Sequence, residues 1–329
     1  MNKFNAGTKH LKYGERCSPL RLLKNCMNPA VNDPANDGPN AGPAAEPTWM
    51  TVVRLLRWDK PAGRLILMVP ALWAAFLAAR GIPELPLIGV IVLGTLATSG
   101  GGCVVNDLWD RDIDDKVERT KTRPLAAKAL SVKVGIVIAL VAFVCAWILS
   151  AYLNPLSFWL CVAAVPVIIL YPLAKRVFPV PQLVLSIAWG VAVLISWSAV
   201  TETLEFSTWL LWAATVLWTL GFDTVYAIPD REFDRKLGLN SSALIFGARA
   251  PQAVGLFFLG TVLLLAFLGV AMPLGIFYWL SLVASGYLWY RQYCQLARGP
   301  KSPKVFGNIF RQNVTIGFVL LACMAFSLV

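Results

Sequence analysis

The chain has 329 residues, of which 57% are hydrophobic and only 14% are charged, with 13 Trp and 17 Phe. Soluble domains carry about 25% charged residues, so this composition excludes both a water-soluble globule and a disordered chain. The formal net charge of +11 raises the question of a nucleic-acid partner. The composition instead predicts an integral membrane protein.

The first 47 residues differ from the rest. Residues 1–26 are basic, and 28–47 are dominated by Pro, Asn, Ala, Gly and Asp, a composition that buries too little apolar surface to offset the entropy lost on ordering. We expect 1–47 to be a disordered tail and 48–329 to be the membrane domain. A transit peptide, a membrane-surface anchor and an upstream extension from a misassigned start are open alternatives for the tail.

A short segment with apolar and basic side chains precedes the first long apolar stretch. In residues 49–60, WMTVVRLLRWDK, apolar side chains stand among Arg54, Arg57 and Lys60. Tryptophan and basic residues in this arrangement are typical of a helix in the membrane interface. We therefore expect an interfacial anchoring helix here.

Nine apolar stretches follow, each about 20 residues long, which is the length that crosses about 30 Å of hydrocarbon. They lie at 61–80, 86–105, 133–153, 155–172, 180–200, 208–228, 251–271, 273–290 and 313–329. The predicted fold class is therefore all-α, a polytopic bundle of nine transmembrane helices.

The basic residues fall almost entirely on one side of this bundle. Of the 29 Lys and Arg, only Arg80 lies in a connection on the opposite side. The positive-inside rule then predicts a multi-pass protein of the inner (cytoplasmic) membrane with a cytoplasmic N-terminus. The basic excess reports topology, so we expect the lipid bilayer as surroundings, no nucleic acid, and no obligatory protein partner.

More than half of the 18 acidic residues fall in two short stretches, each at the predicted cytoplasmic end of a long apolar helix. In the first, NDLWDRDID, Asn106, Asp110 and Asp114 are four apart and follow one helix face, with Asp107 beside them. We call these four residues the first acidic row. Clustered carboxylates near lipid indicate a compensating cation or a basic ligand.

The second stretch, DTVYAIPDREFD, contains Asp230 and Asp234, again four apart; we call this pair the second acidic row. Proline suits the first turn of a helix but disrupts its interior, so we expect a break at Pro229 and a restart at Asp230. Two rows of hard oxygen ligands match Mg²⁺, whose remaining positions are filled by water and substrate phosphate. The implied ligand is a diphosphate.

Other polar residues could complete this site. Arg123, Lys175 and Arg231 are cations close to the rows in sequence, and Tyr171 shares a helix face with Lys175. Tyr171 therefore either lines the same chamber or anchors its helix at the interface. Arg64, just inside the first apolar stretch, either faces a polar cavity or snorkels to the interface. In a cavity, a substrate carboxylate would be its natural partner.

These segments resemble the two aspartate-rich motifs of the UbiA-type intramembrane prenyltransferases, and the resemblance covers nearly all of residues 50–329. Four further segments match the 4-hydroxybenzoate polyprenyltransferase branch, especially its cyanobacterial type. They are RWDKPAGRLILMVPALW (57–73), ERTKTRPLA (118–126), YPLAKRVFPVPQLVL (171–185) and KLGLNSSALIFG (236–247).

The resemblance implies a UbiA-like bundle with a cytoplasmic-side active-site mouth and an enzyme that works with Mg²⁺. Its substrates would be a long polyprenyl diphosphate and 4-hydroxybenzoate, which is prenylated ortho to its hydroxyl in ubiquinone or plastoquinone biosynthesis. Metal ligands would come from the acidic rows: Asn106, Asp107, Asp110, Asp114, Asp230 and Asp234. Substrate-binding residues would be Arg64, Asn106, Arg123, Lys175 and Arg231. Asp223, Tyr226 and Tyr171 would be catalytic.

Two alternative functions share some of these sequence features. Relatives with homogentisate, dihydroxynaphthoate or a tetrapyrrole as acceptor would show the same acidic rows. A multipass transporter would also combine apolar helices with basic loops, but it would tend to place ionisable groups near the bilayer midplane. Here the acids lie at helix ends, which favours the enzyme.

Overall fold

The computed structural model describes residues 47–117, 120–299, 302 and 304–327. Glu46–Val329 form one compact unit. The predictions for the N-terminal tail lie outside the described residues, apart from Pro47. Within those residues the chain forms helices and turns and no strand, which confirms the all-α fold class.

Thirteen α-helices can be followed in the described part of the chain. They are α1 (Thr48–Leu55), α2 (Ala62–Ala79), α3 (Leu85–Asp114), α4 (Val132–Ser150), α5 (Pro155–Leu170), α6 (Ala174–Val177), α7 (Pro181–Thr201), α8 (Phe206–Ala227), α9 (Arg231–Leu237), α10 (Ser242–Phe246), α11 (Ala250–Ala271), α12 (Ile276–Ala297) and α13 (Lys304–Phe326). Short 3₁₀ turns at Tyr171–Leu173 and Gly247–Arg249 lead into α6 and α11.

All nine predicted apolar stretches correspond to helices. Within the described ranges, eight segments are long and apolar enough to cross a membrane: α2, α3, α4, α5 with α6, α7, α8, α10 with α11, and α13. The remaining stretch forms α12, whose several Tyr, Trp and Gln residues lower its hydropathy. Helix α12 nevertheless packs against α11 and α13. The protein is an integral membrane protein, and the count of nine spans stays a prediction.

The predicted interfacial helix is shorter than expected. Helix α1 ends at Leu55, and Arg57 adopts a left-handed backbone conformation with φ 58°. A side chain in that conformation is costly in a helix, so the chain turns here before α2 begins. Trp49 and Trp58 are exposed, at 64% and 54%, as interfacial anchors would be.

Packing is uneven across the bundle. Helices α2, α7, α8, α11, α12 and α13 share the main core, in which Trp73, Trp218 and Phe222 are almost fully buried. A smaller cluster joins α1, α3 and α4, and α4 exposes most of its surface. The space between the main core and α3–α5 is where the cavity described below lies.

Candidate active site

A cavity of about 610 Å³ opens between α2, α3, α4, α5, α7 and α8. Its two ends differ in chemistry. Polar side chains gather at the end where α3, α5 and α8 terminate; they belong to Arg57, Arg64, Ser99, Asn106, Arg123, Tyr171, Asp223 and Tyr226. The remainder is lined mainly by apolar residues, among them Phe143, Trp147, Val165, Ile168 and Ile195. The cavity therefore suits a molecule with a charged head and a long apolar tail.

The first acidic row lies on α3, which continues to Asp114 as predicted. Asp107, Asp110 and Asp114 are 1%, 3% and 5% exposed. Arg123 Nη1 bridges two of them, at 3.2 Å from Asp107 Oδ1 and 2.5 Å from Asp114 Oδ2. Arg57 Nη2 lies 2.7 Å from the same Asp107 oxygen. Buried carboxylates need such partners, because an unpaired charge is costly in a low-dielectric environment.

Asp110 has a separate pair of cations. Lys175 Nζ lies 2.5 Å from its Oδ2, and Arg176 Nη2 lies 3.8 Å from Oδ1. Both cations come from the short helix α6, and the backbone N–H of Asn240 donates to the Lys175 carbonyl at 2.7 Å. This bond connects the α5–α7 corner to the segment that follows the second acidic row.

The second acidic row has a looser setting. Helix α8 ends at Ala227, and α9 begins at Arg231 with Asp230 as its N-terminal flanking residue. This confirms the predicted break at Pro229. No residue of α9 is buried, and Arg235 Nη1 pairs with Glu232 Oε2 within this helix at 2.8 Å. Asp230 and Asp234 are partly exposed and each has an interaction partner.

Arg64 faces the cavity, which decides between the two predicted placements. It is only 5% exposed. Its Nε donates to the Arg57 carbonyl at 3.2 Å and its Nη1 to Ser99 Oγ at 2.9 Å. Its Nη2 is buried and finds no hydrogen-bond partner among the described residues. A buried guanidinium with an unused donor can bind a carboxylate in the cavity.

Asp223, Tyr226 and Tyr171 all line the polar end of the cavity. Asp223 and Tyr226 lie on the last turns of α8, and Tyr171 begins the 3₁₀ turn after α5. The ring of Tyr226 contacts Phe310 of α13, with 5.7 Å between the ring centroids. Of the two predicted placements of Tyr171, the structure therefore shows the one in which its side chain lines the chamber.

The predicted site residues fall into two groups, one that lines the cavity and one that does not. Arg64, Asn106, Arg123, Tyr171, Asp223 and Tyr226 line the cavity, whereas Asp107, Asp110, Asp114, Lys175, Arg231, Asp230 and Asp234 do not. Sequence reasoning gave no site role to Arg57 or Lys60, which also line it. The sequence could have indicated both residues, because they lie in the RWDKPAGR segment that carries part of the family resemblance. Burial lowers the pKa of Arg57, but the charge of Asp107, its hydrogen bond to Arg57 and further neighbouring groups together outweigh this effect, so the pKa of Arg57 lies above its ordinary value.

The donors for a metal are present, although they do not converge. Within the described ranges, no three His, Cys, Asp or Glu side chains are grouped so that they could hold an ion. The chemistry of the set nevertheless fits Mg²⁺, since its members supply hard oxygens. Asp107 Oδ2 and Asp110 Oδ1 are buried acceptors that make no hydrogen bond with the described residues. Metal binding by these rows stays a proposal.

Fold and site together define a polytopic membrane protein with an amphiphilic cavity beneath a charged mouth. Residues 67–327 match the UbiA prenyltransferase family. The chain belongs to this family, and it is an enzyme. Membership in an enzyme family leaves the transporter interpretation without support.

Two relatives are similar to this protein over most of its length. The 4-hydroxybenzoate solanesyltransferase of Synechocystis sp. is 68% identical over 278 residues, 84% of this chain and 95% of that protein. The 4-hydroxybenzoate octaprenyltransferase of Yersinia pseudotuberculosis is 40% identical over 273 residues, 83% of this chain and 94% of that protein.

Solved structures share the fold. The apo UbiA homologue of Aeropyrum pernix K1 superposes with a TM-score of 0.71 at 25% identity, over 80% of this chain and 98% of that one. A UbiA homologue of Archaeoglobus fulgidus bound to DMAPP and Mg²⁺ has a TM-score of 0.64 at 20% identity, over 83% and 99%. The second likeness supports the fold alone.

Proposed function

We propose that the protein transfers a polyprenyl chain from a polyprenyl diphosphate to the ring carbon of 4-hydroxybenzoate ortho to the hydroxyl, in prenylquinone biosynthesis. The observation that carries this proposal is the cavity, whose polar end holds Arg64 with an unused buried donor while its remainder is apolar. The carboxylate of 4-hydroxybenzoate fits the polar end, and the isoprenoid chain fits the apolar remainder. The names of the two relatives above support the same pair of substrates.

The cations of the first acidic row are the best candidates to bind the donor diphosphate. Arg123 and Lys175 are held by carboxylates close to the cavity mouth, and Arg57 lines the cavity directly. Arg231 lies beside the second row. Binding of a diphosphate would let these cations exchange a carboxylate partner for phosphate oxygens.

The carboxylates released by that exchange would be available to Mg²⁺. Asn106, Asp107, Asp110 and Asp114 would supply oxygens from α3, and Asp230 and Asp234 from the start of α9 and from within it. When bound, Mg²⁺ offsets the negative charge that develops on the departing diphosphate. The residues of this chain bring the donor's head group to the polar end and leave its tail in the apolar part.

Transfer requires one bond to break and one to form. The allylic C–O bond breaks, with its electron pair leaving on the diphosphate, and the ring carbon forms the new C–C bond. The ring then loses a proton and regains aromaticity. We assign Asp223 and Tyr226 to orientation of the phenol and the first isoprene unit, together with Tyr171, which lines the same cavity. The carboxylate of 4-hydroxybenzoate would bind Arg64.

We also propose that the charged mouth opens to the cytoplasm and that the protein lies in the inner membrane with a cytoplasmic N-terminus. The support is the distribution of Lys and Arg in the sequence, because almost all of them fall in segments that lie on the same side if the nine apolar stretches cross the membrane in turn.

The test uses membranes that contain the full-length protein, a long-chain polyprenyl diphosphate and Mg²⁺, with and without EDTA. Radiolabelled 4-hydroxybenzoate and homogentisate are compared as acceptors. We expect prenylated 4-hydroxybenzoate only with metal. Preference for homogentisate would overturn the acceptor assignment, and failure with every aromatic acceptor would overturn the proposed function.

A second arm tests the acceptor site. Arg64→Leu should raise the KM for 4-hydroxybenzoate at least about tenfold, because a charge-assisted hydrogen bond is lost, with little change in the KM for the donor. Ser99→Ala, which removes one bond to Arg64 and keeps the guanidinium, should have a smaller effect in the same direction. An unchanged acceptor KM in Arg64→Leu would remove Arg64 from the site.

A further inference from the structure

Three tryptophans from three different helices bond to one short segment of α13. Trp218 of α8 and Trp289 of α12 each donate their indole N–H to Asn313 Oδ1 at 2.8 Å. Trp73 of α2 donates to the Gly317 carbonyl, one turn further along α13, at 3.0 Å. All of these side chains are at most 1% exposed. This segment of α13 is therefore bonded to α2, α8 and α12 within the main core.

The amide of Asn313 is also satisfied on its nitrogen side. Its Nδ2 donates to Gln292 Oε1 at 3.1 Å and to the Ile309 carbonyl at 3.0 Å. Two acceptor bonds and two donor bonds leave the side chain with one possible orientation. In an apolar interior such a network fixes the rotation of the helices that it joins, because rotating any of them would leave a buried polar group unpaired.

A chain of aromatic contacts leads from this network to the cavity. The ring of Trp218 contacts Phe222 at 5.3 Å, Phe222 contacts Phe310 at 5.7 Å, and Phe310 contacts Tyr226 at 5.7 Å. Phe310 precedes Asn313 by three residues on α13 and lines the cavity beside Tyr226 and Asp223. Asn313 thus holds both helices that contribute to this wall.

We propose that Asn313 is a positioning residue for the reaction: through Trp218 it sets the rotation of α8 and so the direction of Asp223 and Tyr226 in the cavity. The proposal rests on the function proposed above for its kinetic consequence. Asn313 itself does not line the cavity, so it acts on the substrates only through α8 and Phe310.

The chain offers a matched pair of variants that separates positioning from general stability. Trp218→Phe and Trp289→Phe each keep an aromatic ring and each remove one 2.8 Å bond to the same Asn313 oxygen. Only Trp218 lies on the helix that carries Asp223 and Tyr226. Because the ring of Trp218 also contacts Phe222 directly, a third variant, Asn313→Leu, removes both bonds and leaves both tryptophan rings in place. If Asn313 sets the rotation of α8, Asn313→Leu lowers kcat as Trp218→Phe does, and an unchanged kcat in Asn313→Leu would overturn the proposal.

The first measurement is kinetic, in vesicles containing the full-length protein. We expect Trp218→Phe to lower kcat about tenfold or more, since small displacements of reacting groups have effects of this size, with the KM for the prenyl donor unchanged. Trp289→Phe should keep kcat within about twofold at a similar loss of thermal stability. Equal kcat values in the two variants would overturn the proposal.

The second measurement does not depend on activity. The protein is labelled with 3-fluorotyrosine, and the Tyr226 signal is assigned in the ¹⁹F NMR spectrum by Tyr226→Phe. Trp218→Phe should shift this signal, whereas Trp289→Phe should leave it in place; equal shifts, or none, would overturn the proposal. If no acceptor is prenylated by the wild type, the proposed function fails while this comparison still decides the role of Asn313.

Discussion

The two acidic rows have similar spacing in the sequence and very different settings in the structure. The first row continues a 30-residue helix, and Asp107, Asp110 and Asp114 are at least 95% buried against cations. The second row follows a helix break, and the seven-residue helix that carries Asp234 has no buried residue. The same i, i+4 spacing therefore occurs in one row that is buried on a long helix and in another that belongs to a short helix without buried residues.

This difference indicates that the two rows play different parts in binding the donor's head group. The buried carboxylates of the first row are fixed on α3 before substrate arrives, and only their cation partners have to exchange for phosphate oxygens. Groups on a short exposed helix can adjust to the donor's head group as it binds. We expect the first row to be sensitive to any change, and the second to tolerate changes that ligand binding can compensate.

The largest expected effect separates two aspartates of the same helix. Asp110→Ala removes a buried carboxylate of the first row and should lower kcat about a thousandfold, because charge stabilisation in a buried site has effects of this order. Asp112→Ala is the matched control, since its side chain is 82% exposed. Transfer of label to lipid-soluble product measures both. Similar activities of the two variants would contradict a special role for the buried face.

A large effect on stability is expected from Arg123→Gln. This change leaves Asp107 and Asp114 with one partner fewer in a buried setting, and breaking such a pair costs about 3 kcal/mol. Arg111→Gln, which loses an exposed pair with Asp112, should be nearly neutral. Thermal unfolding in detergent without Mg²⁺ compares the two. Equal melting temperatures would show that the first row does not depend on its cations.

The second row should respond more weakly and reversibly. Asp230→Ala should lower the transfer rate about thirtyfold at limiting Mg²⁺, within the range seen when metal-supporting groups are lost, and high Mg²⁺ should recover much of it. Glu232→Ala, which removes a carboxylate paired with Arg235, is the control. If Asp230→Ala lowers the transfer rate as much as Asp110→Ala does, and high Mg²⁺ does not restore that rate, the expected difference between the two rows is wrong.

The smallest effect concerns the end of the helix that carries the second row. Gly238 ends α9 with φ 66°, where any other side chain costs about 1 kcal/mol. Gly238→Ala should therefore fray α9 and lower the transfer rate only a few-fold. Gly307→Ala is a control in open space without positive φ. No difference in thermal unfolding between the two would show that the turn is not strained.

Much of the site followed from the sequence because its signals are local. Apolar length predicted the helices, the spacing of Asn106, Asp110 and Asp114 predicted a shared helix face, and Pro229 predicted the break before the second row. Each of these depends on residues within a few turns of one another. The cost of a charge in lipid left two placements for Arg64, a polar cavity or the interface, and the structure places it in the cavity.

Other features required distant residues to meet. The bond from Arg57 to Asp107 spans 50 positions and the one from Trp218 to Asn313 spans 95. The length of α1 was overestimated, because nothing in 49–60 marks the left-handed turn at Arg57. Spacing also suggested a ready group of metal ligands, whereas the structure pairs the first row with arginines and a lysine.

Hydropathy and helical period are properties of neighbouring residues, so the amino-acid sequence alone predicts a helical membrane protein with two acidic rows. The packed structure was needed to show which cation neutralises which carboxylate, that Arg64 keeps an unused donor, and that Asn313 joins three helices. Those outcomes depend on how the helices pack and rotate against each other, and many side chains far apart in the chain determine that packing together.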